Sequence, residues 1–469
     1  MVDTNEEVFL ADTVAGAALG DRRLVQRLET ILRAAVSEPS ASFPKMCSDD
    51  AELEGTYRFL NNQKVSLEAV LRPHYASTVQ RIGRCQRVIV AHDSTQLGFG
   101  PVPRGDLGLV GRGNTYGFDV HFSLAVADEE IRTPLGALAM TPYNRPFGKK
   151  RPSPKASKLS PDNPALRWAA HVRLVREQLP DAQHIVHVMD READDFALLA
   201  ELAGTGERFV IRQAVDRRLT TDVPDPKVRS LVTPTALVVT RSVNISARRK
   251  PTRKRHASRH PLRDERSALL EVRAKAVTIP KTTSAGADAP STLTLNLVEV
   301  VEKNPPVGQE PIEWWLWSNE PIDTPESVLS IIDAYRARWT IEEFFKALKT
   351  GCSIEQRQLE SKHALQNALA IFVPVAWRLL LLRSLSRAAP TVPAAAALTP
   401  LQVRALRGYM RKKRNIELPE DLSVRDAMLA IAAMGGHIKN NGDPGWMVLG
   451  RGFEQLLNVE VGLAIALEM

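Results

Sequence analysis

Two aspartates each come at the end of an apolar run of the kind that forms a buried strand. The run VIVAHD ends at Asp93, and the run HIVHVMD ends at Asp190. Open α/β sheets place catalytic groups at the carboxyl ends of their strands, so two such acids in one sheet can converge. A single aspartate at a strand end more often caps a turn or the next helix. The pair therefore predicts a catalytic site only together with a third group.

A third acid lies in the segment DAYRARWTIEEFFKALKTG. At about 100° per residue, helical spacing places four polar residues of this segment within about 60° of arc. These residues are Tyr335, Arg338, Glu342 and Lys349. A solvated helix face with salt bridges is the alternative interpretation. Three carboxylates fit two-metal phosphoryl transfer with Mg²⁺, a hard ion held by a few carboxylates, waters and phosphate oxygens.

The surrounding sequence predicts the elements that position these acids. After the first strand, HFSLAVA and TPLGALAM indicate two further strands, residues 163–178 a helix, READDFALLAEL a second helix and RFVIR another strand. This alternation predicts an α/β sheet core. Between about residues 215 and 311, TALVVTRSV and LTLNLVEVVE indicate an inserted β-rich domain. We expect one long helix over residues 325–350 and an α-helical region from residue 361 onward.

Size and composition limit the class of protein. A chain of 469 residues exceeds what one hydrophobic core supports, so we expect about two to four domains. The three separated cysteines support neither a disulfide framework nor a cysteine zinc site. The acidic N-terminus has no signal-peptide pattern, and the apolar residues 368–382 are interrupted by Pro374 and Arg378. We therefore expect a buried helix there, no membrane span and a cytoplasmic protein.

The acids and their neighbours resemble the signature of a known family. Asp93, the sequence DREADDF beginning at Asp190, and the spacing from Tyr335 to Lys349 resemble the D-D-E and Y-R-E-K motifs of the insertion-sequence-four family of bacterial cut-and-paste transposases. The segments ALGD, EGTYRFLNN, HDSTQL, RFVIR and GGHIKNNGDPGW are also similar to segments of that family. The resemblance covers nearly the whole chain, and the combined motifs are more specific than three separate acids.

The resemblance implies a ribonuclease-H-like catalytic core with a β-rich insertion. It implies an N-terminal helical DNA-binding domain at residues 1–72, the core at residues 73–365 with its insertion at residues 214–311, and a C-terminal helical dimerisation domain at residues 366–469. Roughly 150 residues separate the second and third acids, far more than one connecting helix needs. An insertion at that place is therefore expected from the spacing as well.

The resemblance also assigns roles to individual residues. The catalytic and Mg²⁺-binding residues would be Asp93, Asp190 and Glu342, and Mn²⁺ would substitute for Mg²⁺. The phosphates of the transposon end would be held by Tyr335, Arg338 and Lys349. A thymine flipped out of the duplex would stack on Trp314, in a pocket that Arg212 also lines. Such stacking contributes about 1–3 kcal/mol.

Neighbours of these residues have more ordinary expected roles. Trp315 and Trp317 lie on the same predicted strand as the stacking tryptophan, and we expect them to pack into the core. His92 directly precedes the first acid, and we expect it to face solvent. The apolar C-terminal helices, such as AMLAIAAM, are expected to serve dimerisation, the role of this region in the family.

Cations are concentrated in two regions. Residues 248–263 contain eight Lys or Arg and no acid, which suits sequence-independent phosphate contacts, although a solubilising loop has the same composition. The resemblance assigns recognition of the transposon end mainly to the N-terminal region. Its basic candidates are Arg22, Arg23, Arg27, Lys45 and Arg58.

The sequence thus predicts a Mg²⁺-dependent DNA transposase that acts as a homodimer on transposon-end DNA and target DNA, in the cytoplasm and associated with the nucleoid. It would nick the 3′ end, form and reopen a hairpin, and join the 3′ ends to target DNA. One alternative is a Mg²⁺-dependent nuclease or resolvase that never joins strands. Another is a DNA-binding regulator or transposition inhibitor.

Overall fold

The computed structural model describes residues 6–104, 106–111, 114–129, 131–144, 164–180, 184–219, 227–245, 247, 263–438 and 443–468. In chain order the helices are α1 Glu6–Val14, α2 Arg22–Ser37, α3 Phe43–Met46, α4 Asp50–Asn61, α5 Leu67–Ile82, α6 Pro164–Gln178, α7 Phe196–Gly204, α8 Val228–Val232, α9 Pro325–Ala337, α10 Trp339–Lys346, α11 Lys362–Ala388, α12 Pro400–Tyr409, α13 Val424–Met434 and α14 Trp446–Glu468. The strands are β1 Val88–Gly98, β2 Gly108–Val110, β3 Thr115–Ala127, β4 Pro134–Tyr143, β5 Ile185–Met189, β6 Arg208–Arg212, β7 Val239–Ile245, β8 Arg266–Pro280, β9 Thr292–Lys303 and β10 Glu313–Ser318. The α/β class is confirmed.

The chain divides into two compact units. The first unit comprises Met1–Arg151, Arg173–His184 and Trp339–Met469. The second unit comprises Pro152–Val172 and Ile185–Arg338. The first and third predicted acids therefore belong to the first unit, and the second acid belongs to the second unit.

The first unit contains an antiparallel sheet in which β3 is the central strand. β1 pairs with β3 from Val88 opposite Ala127 to Gly98 opposite Gly117. β4 and β2 also pair with β3 in antiparallel fashion. A glycine is required at position 117, because a Cβ there would lie 1.9 Å from the Leu97 carbonyl oxygen. The three strands predicted before residue 145 are confirmed, and the short β2 is an addition.

Helix α11 lies at the centre of the helical part of the first unit. It packs against α2, α4, α5 and β4. The helix is long and apolar enough to cross a membrane, but 89% of its apolar window is buried inside the protein. The predicted buried helix is thereby confirmed.

Most of the segment AMLAIAAM, which lies in α13, is also buried. The expected role of these helices in dimerisation stays a prediction.

The second unit contains a mixed sheet. β5 and β6 are parallel, and β10, β9, β8 and β7 follow in antiparallel pairs. The predicted core packing of two tryptophans is confirmed, since Trp315 and Trp317 belong to the buried cluster that also contains Trp168, Phe196 and Phe209. The sequence did not predict β8, whose charged side chains interrupt the apolar pattern and pair with neighbouring strands.

Two predicted boundaries were wrong. The single helix over residues 325–350 is divided into α9, α10 and a π-helical turn at Ala347–Gly351. Asp93 does not end its strand, because β1 continues to Gly98 with Thr95 and Leu97 buried. The apolar run stops at Asp93, but alternating burial and full pairing with β3 extend the strand beyond it.

Candidate active site

Asp93 lies in the middle of β1, half-buried on the face of the sheet opposite to His92. Its Oδ1 accepts the backbone N–H of Ser94 at 2.8 Å. On the neighbouring strand the residue directly opposite is Phe122. Strand residues that pair directly point to the same face of a sheet. Phe122 therefore marks the face on which the carboxylate of Asp93 lies.

Two aromatic contacts connect this face with the helix that carries Glu342. The ring of Phe122 lies 5.4 Å from that of Phe344, edge to face, and 5.7 Å from that of Phe345. Both phenylalanines are buried in α10. Glu342, two residues before the first of them, is half-buried. The first unit thus brings the strand of Asp93 and the helix of Glu342 together through a buried aromatic cluster.

The turn after α10 makes two hydrogen bonds to the far end of β1. Lys349 donates from Nζ to the Gln96 carbonyl oxygen at 2.5 Å. Glu355 accepts the N–H of Gly98 at 2.9 Å. Burial lowers the pKa of Lys349, while the charges of Glu355 and Asp119 oppose that shift. The π-helical winding moves Lys349 away from the angular position that α-helical spacing predicts.

Sequence reasoning missed Glu355 and Asp119. Asp119 is buried on β3, opposite Gln96 of β1. Its only sequence signal is a lone acid inside the apolar run FDVHFSLAV. Glu355 had no signal, because its role depends on a turn that brings it to Gly98.

His92 does not face solvent, so that expectation was wrong. Its side chain is fully buried, and Nδ1 lies 2.9 Å from the hydroxyl of Ser123. The ring stacks with that of His121 at 6.4 Å, and Nδ1 of His121 lies 2.8 Å from the hydroxyl of Ser94. Hydrogen-bonding partners on β1 and β3 explain why polar side chains are tolerated inside this sheet.

Asp190, in the second unit, directly follows β5 as the sequence predicts. It is half-buried and caps the short helical turn Arg191–Ala193 by accepting the N–H of Glu192 at 2.8 Å.

Asp194, four residues after Asp190, was not singled out from the sequence. Its buried carboxylate forms a 2.6 Å ion pair with Arg217. It also accepts the N–H of Ala214 at 2.7 Å and thereby fixes the segment that follows β6.

The second unit brings together four residues that were expected to hold DNA. Trp314 is half-buried on β10, and its ring lies 5.4 Å from that of Tyr335, edge to face. The guanidinium carbon of Arg338 lies 5.9 Å from the centre of the Tyr335 ring. Arg212 donates to the carbonyl oxygen of Glu313, the residue before the tryptophan, at 3.3 Å. These residues form an aromatic and cationic surface cluster, in which Tyr335 is largely buried.

Two family models match parts of the chain. Residues 6–65 match the model described as Transposase DNA-binding, and residues 161–373 match the Transposase DDE domain. The two matches indicate a DDE transposase. The enzyme is a DNA transposase with DNA as its partner, and DDE transposase domains generally use divalent metal ions. The second match spans two of the three predicted acids, and Asp93 lies before it.

A solved structure is similar to the transposase over much of its length. It is the synaptic complex of the piggyBac transposase with hairpin DNA, at 11% sequence identity and a TM-score of 0.35. The match covers 82% of this chain and 74% of that chain. The similarity is too distant to assign a role to any residue.

The predicted basic residues of the N-terminal region lie within the matched DNA-binding range. Arg22, Arg23 and Arg58 are exposed, whereas Arg27 packs so closely on α4 that a Cβ at Gly55 would lie 2.6 Å from its guanidinium carbon. Lys45 is paired with Glu454 of α14. Two of the exposed arginines are also ion-paired, Arg23 with Asp21 and Arg58 with Glu54, so pairing does not rank these candidates. Of the basic segment 248–263, only Arg263 is among the described residues.

Proposed function

We propose that this transposase cuts and joins DNA with the acids Asp93, Asp190 and Glu342. It is a member of the insertion-sequence-four family, with a ribonuclease-H-like core at residues 73–365 and an insertion at residues 214–311. The helical domain at residues 1–72 binds transposon ends, and residues 366–469 serve dimerisation. The antiparallel strands β1, β3 and β4 in one unit and the parallel β5–α7–β6 in the other support this core.

The observation that carries the proposal is the aromatic cluster of Phe122, Phe344 and Phe345. It ties the strand of the first acid to the helix of the third through buried side chains, which hold their positions better than surface contacts. The cluster holds the helix of Glu342 against the sheet face that carries Asp93, a placement that a solvated helix face with salt bridges does not require. The interpretation of Glu342 as an active-site residue is therefore favoured over that alternative.

The three acids fit Mg²⁺ in their chemistry. All are half-buried carboxylates, which offer hard oxygen donors while solvent and substrate can still reach them. Asp93 and Asp190 each accept one backbone N–H, which orients the carboxylate. When bound, the metal polarises the scissile phosphate and lowers the pKa of the attacking water. Mn²⁺ has similar ligand preferences and substitutes.

The reaction is a series of phosphoryl transfers at one set of acids. Water first hydrolyses the phosphodiester at the 3′ end of the transposon. The freed 3′-hydroxyl attacks the opposite strand and closes a hairpin, which a second water reopens. The 3′ ends then attack target DNA. Each step displaces one oxygen from phosphorus by another, so the same constellation serves all of them.

The cluster around Trp314 supports a site for a flipped thymine and its flanking phosphates. A tight hairpin strains the stacked duplex, and an aromatic ring that accepts one extruded base offsets part of that cost. Trp314 supplies this ring and Arg212 lines the pocket beside it. The phosphates on either side are bound by Tyr335, Arg338 and Lys349.

The enzyme works as a homodimer on paired transposon ends. Exposed apolar residues near the end of α14 support a contact between copies in this region, namely Val461, Ile465 and Leu467. End recognition depends on the exposed arginines Arg22, Arg23 and Arg58, and on Arg27, which packs on α4 beside Gly55. Its place of action is the cytoplasm, in association with the nucleoid.

The triad is tested with Glu342→Ala, and Glu326→Ala at an exposed position of α9 is the matched control. We expect the first variant to lose cleavage of transposon ends in Mg²⁺ while still binding them in a gel-shift assay, and the control to retain both. A Glu342→Ala enzyme that still nicks transposon ends would overturn the assignment. Strand transfer from pre-cut ends separates a transposase, which yields joined product, from a nuclease or resolvase.

A further inference from the structure

A pocket in the first unit is lined by three arginines. Arg383 and Arg387 come from α11 and Arg425 from α13, with Leu449 among the apolar lining residues. The enclosed space is only about 10 Å³, room for about one water molecule, and the rest of the pocket is open to solvent. The side chains of Arg387 and Arg425 are 40% and 32% exposed, so an anion binds at the mouth of the pocket. None of these arginines belongs to the site proposed above.

Arginine donors exceed carboxylate acceptors around this pocket. Asp443 binds Arg387 at 3.1 Å and Arg425 at 2.6 Å. Arg383 binds Glu343 at 2.6 Å, and Glu343 is also bound by Lys346 at 2.6 Å. Four cations thus share two carboxylates. Burial lowers the pKa of Arg383, and the charge of Arg387 lowers it further. An additional anion would reduce the electrostatic repulsion between Arg383 and Arg387.

Two buried donors lie beside each other at this place. The guanidinium of Arg383 stacks on the ring of Trp446, 4.5 Å from its centre. Neither Nε of Arg383 nor Nε1 of Trp446 has a hydrogen-bond partner among the described residues. Buried donors without acceptors destabilise the folded state. Both groups can only donate, so they add to the excess of donors over acceptors around Arg383.

We propose that Arg383, Arg387 and Arg425 form a phosphate-binding pocket, and that it receives a backbone phosphate of the bound DNA. Guanidinium groups match phosphate oxygens in geometry and charge. The pocket is coupled to the acid helix, because the same Arg383 binds Glu343, the neighbour of Glu342. The source of the phosphate rests on the proposed function, whereas the pocket itself does not.

The first experiment uses no DNA. Full-length protein is unfolded thermally in increasing inorganic phosphate, with chloride at equal ionic strength as reference. A bound anion stabilises the folded state in proportion to RT ln(1 + [L]/Kd), so the melting temperature rises in phosphate. Arg425→Gln weakens binding about tenfold or more, as the loss of one charge-assisted hydrogen bond does. Arg404→Gln, at an exposed position on α12, leaves the phosphate response unchanged.

A second variant keeps the test decisive if Arg425→Gln fails to fold. Asp443→Asn removes the carboxylate that competes for Arg387 and Arg425, so it strengthens phosphate binding. A melting temperature that responds equally to phosphate and chloride in the wild type, or an Asp443→Asn variant with weaker phosphate binding, overturns the pocket.

The second experiment identifies the source of the phosphate. Binding of duplex DNA is measured over a range of salt concentrations, with transposon-end DNA and with an unrelated duplex. Loss of one phosphate contact reduces the slope of log K against log salt by about 0.9. We expect this reduction for Arg425→Gln with transposon-end DNA. An unchanged slope, with phosphate binding still lost, overturns DNA as the source. These binding readouts are independent of the cleavage test on Glu342, so the two proposals can fail separately.

Discussion

The two units hold their proposed functional side chains in opposite ways. In the first unit, Asp93 and Glu342 are positioned by the buried rings of Phe122, Phe344 and Phe345. In the second unit, Trp314 is half-buried and has a single ring neighbour described for it, Tyr335. The phenylalanine rings of the first unit are closely packed, whereas the ring of Trp314 in the second unit is partly exposed.

This difference fits the demands of the two sites. Acids that share metal ions must be held within a fraction of an ångström, which a packed core provides. A ring that accepts an extruded base must instead leave room for it, and the base itself completes the packing. The first site is therefore expected to be sensitive to volume, and the second to the presence of an aromatic face.

The largest effect is expected from Phe122→Ala. Removing a buried phenylalanine leaves a cavity and costs about 3–5 kcal/mol of unfolding free energy. Because the ring contacts both phenylalanines of α10, the variant also loses all cleavage steps together. Urea unfolding and end-cleavage assays measure the two effects. Phe122→Leu is the control that leaves a smaller cavity, and it is expected to recover part of both. Normal cleavage in a destabilised Phe122→Ala enzyme would show that the aromatic cluster does not position Glu342.

Trp314→Ala is expected to have a smaller and more selective effect. Loss of base stacking costs about 1–3 kcal/mol, which slows hairpin formation by roughly five- to 150-fold. The first nick precedes the flip and stays near the wild-type rate, and folding stability changes little. Trp314→Phe restores part of the hairpin rate. Gel assays that resolve nicked and hairpin products make this comparison, and an equal loss of both steps contradicts the base-flipping role.

Sequence and structure agree where a signal is local. The strands β1, β3, β4 and β6 and the helix α11 are long apolar or alternating runs, and their existence follows from the pattern alone. β8 was missed because Arg266, Glu271 and Arg273 look exposed in sequence. In the fold Arg266 of β8 forms an ion pair at 2.8 Å with Glu302 on the neighbouring strand β9. Such partners are known only once strand pairing is known.

The candidate site shows the same limit. Asp190 and Glu342 stood out because each lies in a short local motif, whereas the roles of Trp314 and Arg212 came from the family resemblance alone. The aromatic cluster on Phe122 joins residues more than two hundred positions apart, and the sequence around neither Phe122 nor Phe344 indicates that they are in contact. The expectation that His92 faces solvent failed for the same reason, since its buried partner Ser123 is on another strand.

The smallest effect is expected at Glu355, which follows α10 and accepts a hydrogen bond from Gly98 of β1. Glu355→Ala leaves the N–H of Gly98 without its acceptor and costs about 1 kcal/mol of unfolding free energy. Glu355→Gln keeps an acceptor oxygen and should match the wild type in stability. Loss of cleavage with either variant at neutral pH would mean that Glu355 does more than fasten this turn.

Glu355 also tests how Lys349 works. Burial lowers the pKa of Lys349, and the negative charge of Glu355 counteracts this. Both Glu355→Ala and Glu355→Gln remove that charge, so the pKa of Lys349 falls further. If the ammonium binds a DNA phosphate, cleavage is lost as pH rises through this pKa, and the alkaline limb of the rate profile shifts to lower pH in both variants. Because Gln keeps the hydrogen bond, a shift shared by the two variants is electrostatic, whereas a shift confined to Ala reflects the loosened turn. An unchanged alkaline limb in both Glu355 variants would contradict phosphate binding by Lys349. Its role would then be the hydrogen bond to the carbonyl oxygen of Gln96.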